Sequence, residues 1–326
     1  MRGSILVGHC LGLGAGLALL TAAGCELDPE VRPYAPAVTA TGGSVSNNPD
    51  AAVSEGFLAD AGYGWKTLLL GHWEVPASTE TYLCVRYTLP EDVSVSGLRP
   101  ITPLGTHHTV LSIADDSKPD GATKCDATTN GRRSIAATGF HTNDLQLPDG
   151  VGLELKAGQQ LLLNLHLFNV NDEALSGTSG ALVRLIAPED LEERAETILA
   201  GTVKLDLPAN ERTTQRGTCT MQGDHTLFAI APHMHQLGAH LKAVAHSSVD
   251  GDVTLHDGVY KFDEQFVYPI GKQVHMKKGD KLDIDCTYQN TTPRTVNFGD
   301  SSTAEMCFAG IYRYPLGSEG SFICVK

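Results

Sequence analysis

Short runs of alternating apolar and polar residues recur roughly every ten residues along this chain, at the period-two spacing of half-buried strands. The pattern predicts strands at Thr81 to Leu89, Leu161 to Phe168, Thr202 to Leu207, Thr226 to Ala231, Leu241 to His246, Lys281 to Tyr288 and Ala309 to Tyr314. Turn formers separate them: Pro119-Asp120-Gly121, Pro148-Asp149-Gly150, Asp250-Gly251-Asp252 and Lys278-Gly279-Asp280. Strands this short, with turns this regular, predict an all-β fold of packed sandwiches. The exception is Pro188 to Leu199. Its Glu189, Asp190, Glu192, Glu193 and Glu196 read as a short exposed helix at a domain boundary. The expected domains are residues 56–195 and 196–326, and 326 residues suit two domains better than one.

Histidine placement adds chemistry to the strands. Leu161, Leu163, Leu165 and Leu167 share one face of their strand, which is the expected core face. His166 lies on the other face with Leu162, Asn164 and Phe168. His107 and His108 are sequential, so on a regular strand they would point to opposite faces. They can reach one metal only at a bend or a strand end. In Pro232-His233-Met234-His235 the i, i+2 spacing puts both imidazoles on one face, about 6.5–7 Å apart along the chain. Met306 is the candidate third donor to that pair. Two imidazoles with a thioether form a soft, neutral set that favours Cu(I), whereas three imidazoles suit copper or zinc. His72, His141, His225, His240, His246, His256 and His275 show no comparable spacing and are expected to be structural or on the surface.

Charge narrows the partners. Lys+Arg is 24 against Asp+Glu 38, a formal net charge of −14, which argues against nucleic acid or anionic lipid. Residues 1–25 read as an export signal, with Arg2, an apolar stretch from Ile5 to Leu20 and a small-residue cleavage zone ending at Cys25. Thr21-Ala22-Ala23-Gly24-Cys25 is similar to a bacterial lipoprotein box without its usual Leu, which leaves lipidation at Cys25 and plain cleavage both open. A lipid anchor there would be the only membrane contact. Residues 26–55 have the Pro, Gly, Ser and Asn content of a flexible linker. Of eight Cys, Cys84, Cys125, Cys219, Cys286, Cys307 and Cys324 lie past the linker. An even number in an exported chain suggests three disulfides, for which six Cys allow 15 pairings.

In chain order the motifs are Tyr82-x-Cys84, His107-His108, Asn164-x-His166, His233-x-His235-x-Leu237-Gly238, Cys286-x-Tyr288, Glu305-Met306-Cys307 and Tyr314-Pro315. This series resembles the copper type II, ascorbate-dependent monooxygenases, a family that includes dopamine β-monooxygenase and the peptidylglycine α-hydroxylating monooxygenases. The match runs from about residue 66 to the end of the sequence. The resemblance implies two tandem jelly-roll sandwiches and two copper ions. His107, His108 and His166 would hold the electron-transfer copper. His233, His235 and Met306 would hold the copper that serves O₂ and substrate. One oxygen atom would enter a C–H bond of a small organic substrate, with electrons from ascorbate or another one-electron reductant. It also implies the pairings Cys84–Cys125, Cys219–Cys324 and Cys286–Cys307.

Departures bear on the substrate. Ala231 stands where peptide-amidating members carry an Arg, and Gly310 where they carry a Tyr. Without those groups a peptide carboxylate would be buried unpaired, so a peptide amidase is not expected. Arg313 stands where the amine hydroxylase has a Tyr, which argues against catecholamines. Phe308 and Gly310 suggest a less polar pocket. Thr109 follows the His pair where animal members usually have Met. Two other readings remain: a non-catalytic copper-binding or copper-buffering lipoprotein, and a jelly-roll binding module for carbohydrate or protein. The expected location is the cell envelope, through a lipid at Cys25, or the exterior.

Overall fold

The computed structural model describes residues 56–325 apart from 130, 132, 140–141, 263, 300–302 and 318–322. The signal, the linker, Cys25 and His141 therefore lie outside the described residues. Strands make up most of the described residues, and no helix there is long and apolar enough to cross a membrane.

Up to Arg194 the chain builds two sheets. One has seven strands, centred on Trp65–Val75, Leu175–Leu185 and Val93–Ile101. The other runs Gly121–Lys124, Thr79–Thr88, Gln160–Asn169, Thr106–Ile113, Arg133–Gly139. After Ala195 come a five-stranded sheet, a four-stranded sheet and a two-stranded ribbon. The five-stranded sheet runs Tyr268–Met276, His225–His233, Cys307–Tyr314, Glu196–Thr202, Ile323–Val325. No sheet among the described residues mixes strands from before and after Ala195.

The core follows from the period-two pattern. Leu161, Leu163, Leu165 and Leu167 are each at most 1% exposed, and burying a Leu side chain contributes about 1.5–3 kcal/mol. Leu162, Asn164 and His166 on the opposite face are buried too. The loop at Asp126–Thr129 covers Asn164, whose amide donates to Asp126 O at 3.0 Å and Thr129 O at 2.8 Å. The disulfide Cys84–Cys125 ties down the start of that loop. Cys219–Cys324 and Cys286–Cys307 are the other two bridges, so all three pairings are those implied by the resemblance.

The expected helix at Pro188 to Leu199 is absent. Pro188–Asp190 form one 3-10 turn, and Glu196–Thr202 is a strand. Acidic composition misleads there because Glu196 is buried. It sits opposite Arg313 on the paired Cys307–Tyr314 strand and accepts from Arg313 Nε at 2.9 Å and Nη2 at 2.7 Å. The strand expected at Thr202 to Leu207 is split, ending at Thr202 and resuming only at Asp206–Leu207.

The two sets of sheets meet through paired backbone and amide groups. Asn143 exchanges hydrogen bonds with Val267, donating to its carbonyl at 2.8 Å and accepting from its N–H at 2.9 Å. Thr142 Oγ1 donates to Gln265 O at 2.6 Å, and Thr197 Oγ1 to Ile135 O at 3.3 Å. Phe228, Val267 and Tyr312 of the later sheets pack into the apolar cluster of the earlier ones.

Candidate metal centre

How two sequential histidines come to face one point is answered by the register. Against the Gln160–Asn169 strand, His108 pairs with His166 and Thr106 with Leu167, so the register shifts past His107. One extra residue in one strand is a β-bulge, and a bulge breaks the alternation of side chains. His107, His108 and His166 thereby bring their ligand nitrogens within 4.8 Å of one another. His107 Nδ1 lies 3.1 Å from His108 Nδ1, and His166 Nδ1 lies 3.3 Å from His108 Nδ1. Nitrogens held about 2.0 Å from a tetrahedral metal are about 3.3 Å apart, so this spacing fits one ion.

Neighbouring groups set the tautomer. Glu80 Oε1 accepts from His166 Nε2 at 2.5 Å, which leaves Nδ1 as that ring's acceptor. Tyr82 stacks on the same ring, centroid to centroid at 4.3 Å with an interplanar angle of 7°. Burial holds His108 well below the usual histidine range, and the nearby imidazoles of His166, His107, His233 and His235 push it further down. His166 is likewise lowered by burial, with Glu80 opposing. Neutral imidazoles are what a metal requires.

The later sheets supply a second set. His233 closes its strand and His235 follows it, with ring centroids 5.4 Å apart and planes at 90°. Met234 between them is fully buried on the other side. Gln265 Oε1 lies 3.2 Å from His233 Nδ1, and Ala304 O lies 3.1 Å from His235 Nδ1. Those contacts make Nε2 the acceptor in each ring. Burial and His235 push His233 down to about 4, against its bond to Gln265. Met306 is half-buried and lines the same cavity as His233 and His235. Two imidazoles and a thioether lining one cavity make a donor set that fits a soft ion such as Cu(I).

Glu305 fastens these pieces together. It is fully buried, and its carboxylate accepts from Leu237 N at 2.6 Å and His235 N at 2.9 Å. One side chain thus clasps the His233–Leu237 segment to the residue beside Met306. Burial pushes Glu305 up to about 7, with the backbone N–H groups of Leu237, His235 and Met306 opposing. Tyr288 Oη donates to Met306 O at 2.7 Å, and the Cys286–Cys307 bridge holds the next residue. Sequence reading found neither Glu80 nor Gln265. It quoted Glu305 in its motif but gave it no role. A carboxylate flanking a candidate donor is the signal that was available.

A cavity of about 370 Å³ is lined by His108 of the first set and by His233, His235 and Met306 of the second. Phe262 contacts both sets, with its centroid 4.5 Å from that of His107 and 6.1 Å from that of His235. Ala231, Phe308 and Gly310 line the cavity as expected of pocket residues. Arg313 does not line it. It points into the Glu196 pair while its neighbour Tyr312 faces the cavity, so Arg313 carries no information on the substrate. Among the other described histidines, His246 pairs with Asp252, His275 with Asp250 and His240 with Asp257, while His225 is buried against Pro315 O.

Residues 193–324 match the profile of the copper type II ascorbate-dependent monooxygenase C-terminal domain. Peptidyl-glycine alpha-amidating monooxygenase A of Xenopus laevis is 27% identical over 255 residues, which is 73% of this chain and 27% of the frog protein. DBH-like monooxygenase protein 2 of Mus musculus is 24% identical over 282 residues, 76% of this chain and 45% of the mouse protein. The chain thus spans between about a quarter and a half of the length of these relatives. Among solved structures, the infectious bursal disease virus VP2 subviral particle covers 78% of this chain and 73% of that chain at 10% identity and a TM-score of 0.20, too weak a likeness to bear on the fold. The matched C-terminal stretch and the relatives make this chain similar to the copper type II ascorbate-dependent monooxygenases.

Proposed function

We propose that this chain is an exported copper-dependent monooxygenase that hydroxylates a C–H bond of a small organic substrate. It would use O₂ and a one-electron reductant such as ascorbate, and be built as two tandem jelly-roll domains over 56–195 and 196–326. The observation that carries this reading is the cluster of His107, His108 and His166 together with a cavity lined by His108, His233, His235 and Met306. Copper bound at both sets would supply one electron from each and a site for O₂ reduction.

The chain's own residues do the rest. Glu80 and Tyr82 hold the His166 ring so that Nδ1 faces the set. Ala304 O and Gln265 orient His235 and His233 so that Nε2 faces the cavity. Glu305 keeps the thioether in register with the two imidazoles. The apolar wall of Phe308 and Tyr312 excludes water from the reacting C–H bond. Three disulfides fit an oxidising compartment, which supports export. Export would end either in a lipid anchor at Cys25 or in plain cleavage and release.

The test is substrate-dependent O₂ consumption by copper-loaded protein with ascorbate, with products identified by mass spectrometry. Hydroxylated product at two coppers per chain is expected. Copper binding without turnover over a broad extract screen would instead favour a copper-buffering protein, and no copper at all would leave a jelly-roll binding module.

A further inference from the structure

The cavity's chemistry says more than that a small molecule binds. Among the described residues that line it there is no Asp, Glu, Lys or Arg. Three charged groups next in sequence to its walls are committed elsewhere. Arg313 pairs with Glu196, Arg133 Nη2 donates to Glu154 O at 3.2 Å, and Glu305 accepts from the backbone of His235 and Leu237.

Its polar side chains are largely spent within the protein as well. Thr109 Oγ1 bonds Thr138 Oγ1 at 2.8 Å. Ser112 Oγ accepts from Gly131 N at 2.9 Å and donates to Leu162 O at 3.3 Å. Thr197 Oγ1 donates to Ile135 O, and Gln265 Oε1 lies against His233. What faces the open volume is mostly apolar. Of its lining residues, Val203, Phe298 and Ile323 are 40%, 37% and 42% exposed. Apolar side chains left in solvent at the rim of a cavity mark a ligand entry rather than a folding need.

We infer that the substrate is an uncharged, predominantly apolar molecule, bound in this cavity by burial of its hydrocarbon and reaching it past Val203, Phe298 and Ile323. This rests on the reading of the cavity as the oxygenase's substrate site. A carboxylate or ammonium taken into these walls would lose its hydration, and no described side chain lining them carries an opposite charge. Ala231 and Gly310, which face each other across paired strands, are where a charged anchor would have room. Neither side chain offers one.

The experiment uses the copper-free full chain, so that binding is read without turnover. Equilibrium dialysis measures Kd for three probes on one skeleton: methyl 3-phenylpropanoate, 3-phenylpropanoate and 3-phenylpropylammonium. The neutral ester is expected to bind at least about tenfold more tightly than either ion, the ratio given by one poorly compensated charge. Ala231→Arg, and independently Val203→Arg at the rim, should raise affinity for the carboxylate severalfold and leave the ammonium no tighter. Equal or tighter binding of either ion by the native chain overturns the inference. So does failure of all three probes to bind at millimolar concentration. Copper content and electron paramagnetic resonance of the loaded protein test the oxygenase reading separately. Two coppers with a preference for an ion would sink only the substrate class. A neutral preference with no copper would sink only the oxygenase.

Discussion

Replacing Glu305 by Gln changes almost no volume but should disable the clasp between the two parts of the second donor set. The carboxylate has two acceptor oxygens, one toward His235 N at 2.9 Å and one toward Leu237 N at 2.6 Å. A Gln amide keeps one oxygen and turns an NH₂ toward the other N–H. One bond is lost and one buried donor is left without a partner, which costs about 1–3 kcal/mol. Taking about 2 kcal/mol, melting of the copper-free protein should fall by about 4–8 °C. Copper affinity of the second set should fall with it, while the first set, on other strands, keeps its ion. Calorimetry and copper titration of Glu305→Gln check this, with Glu264→Gln as control, since Glu264 makes only an exposed pair with Lys261. A second readout is the pH slope. Glu305 is pushed up to about 7 in the folded chain, above the usual 4.5, so the folded chain binds more protons than the unfolded one between those values and stability falls as pH rises from about 4.5 through 7. The variant should lose that slope. Unchanged melting and an unchanged pH profile would refute the clasp.

Other outcomes follow from the same geometry. His233 is lowered to about 4 from the usual 6.5, and His108 and His166 are lowered as well, so the folded chain binds fewer protons than the unfolded one across that window. Stability and copper affinity should therefore both decline as pH falls from about 6.5 toward 4, read by melting and metal titration from pH 8 to 4. Glu80→Ala should weaken copper at the first set by about 10–100-fold and alter its paramagnetic spectrum, since it removes the partner of His166 Nε2. The Cys219→Ala/Cys324→Ala variant opens a loop with a sequence separation of 105 and should destabilise the chain by about 4–5 kcal/mol, read by denaturant unfolding.

Much of this was legible because strand patterning is local. The alternation in Leu161–Phe168 and in Thr226–Ala231 located strands that the structure extends by only a residue or two at each end. The i, i+2 spacing of His233 and His235 carried its geometry with it. What stayed hidden depends on register and on contacts distant in sequence. The bulge that turns His107 and His108 to one side is visible only against the partner strand. Glu80 meets His166 across 86 residues, and Gln265 meets His233 across 32, from a segment with no motif. Glu196 misled for a related reason: its burial depends on Arg313, 117 residues away, so its local neighbours argued for an exposed helix. Arg313 read as a pocket residue until the register placed Tyr312 on the cavity side.

The account turns on Met306 acting as a metal ligand beside His233 and His235. X-ray absorption of the reduced, copper-loaded protein addresses this directly. Two coppers per chain are expected, with a sulfur scatterer that is lost in Met306→Ala and retained in His108→Ala. A native protein with no copper–sulfur signal, or one that survives Met306→Ala, would contradict the assignment of the second site.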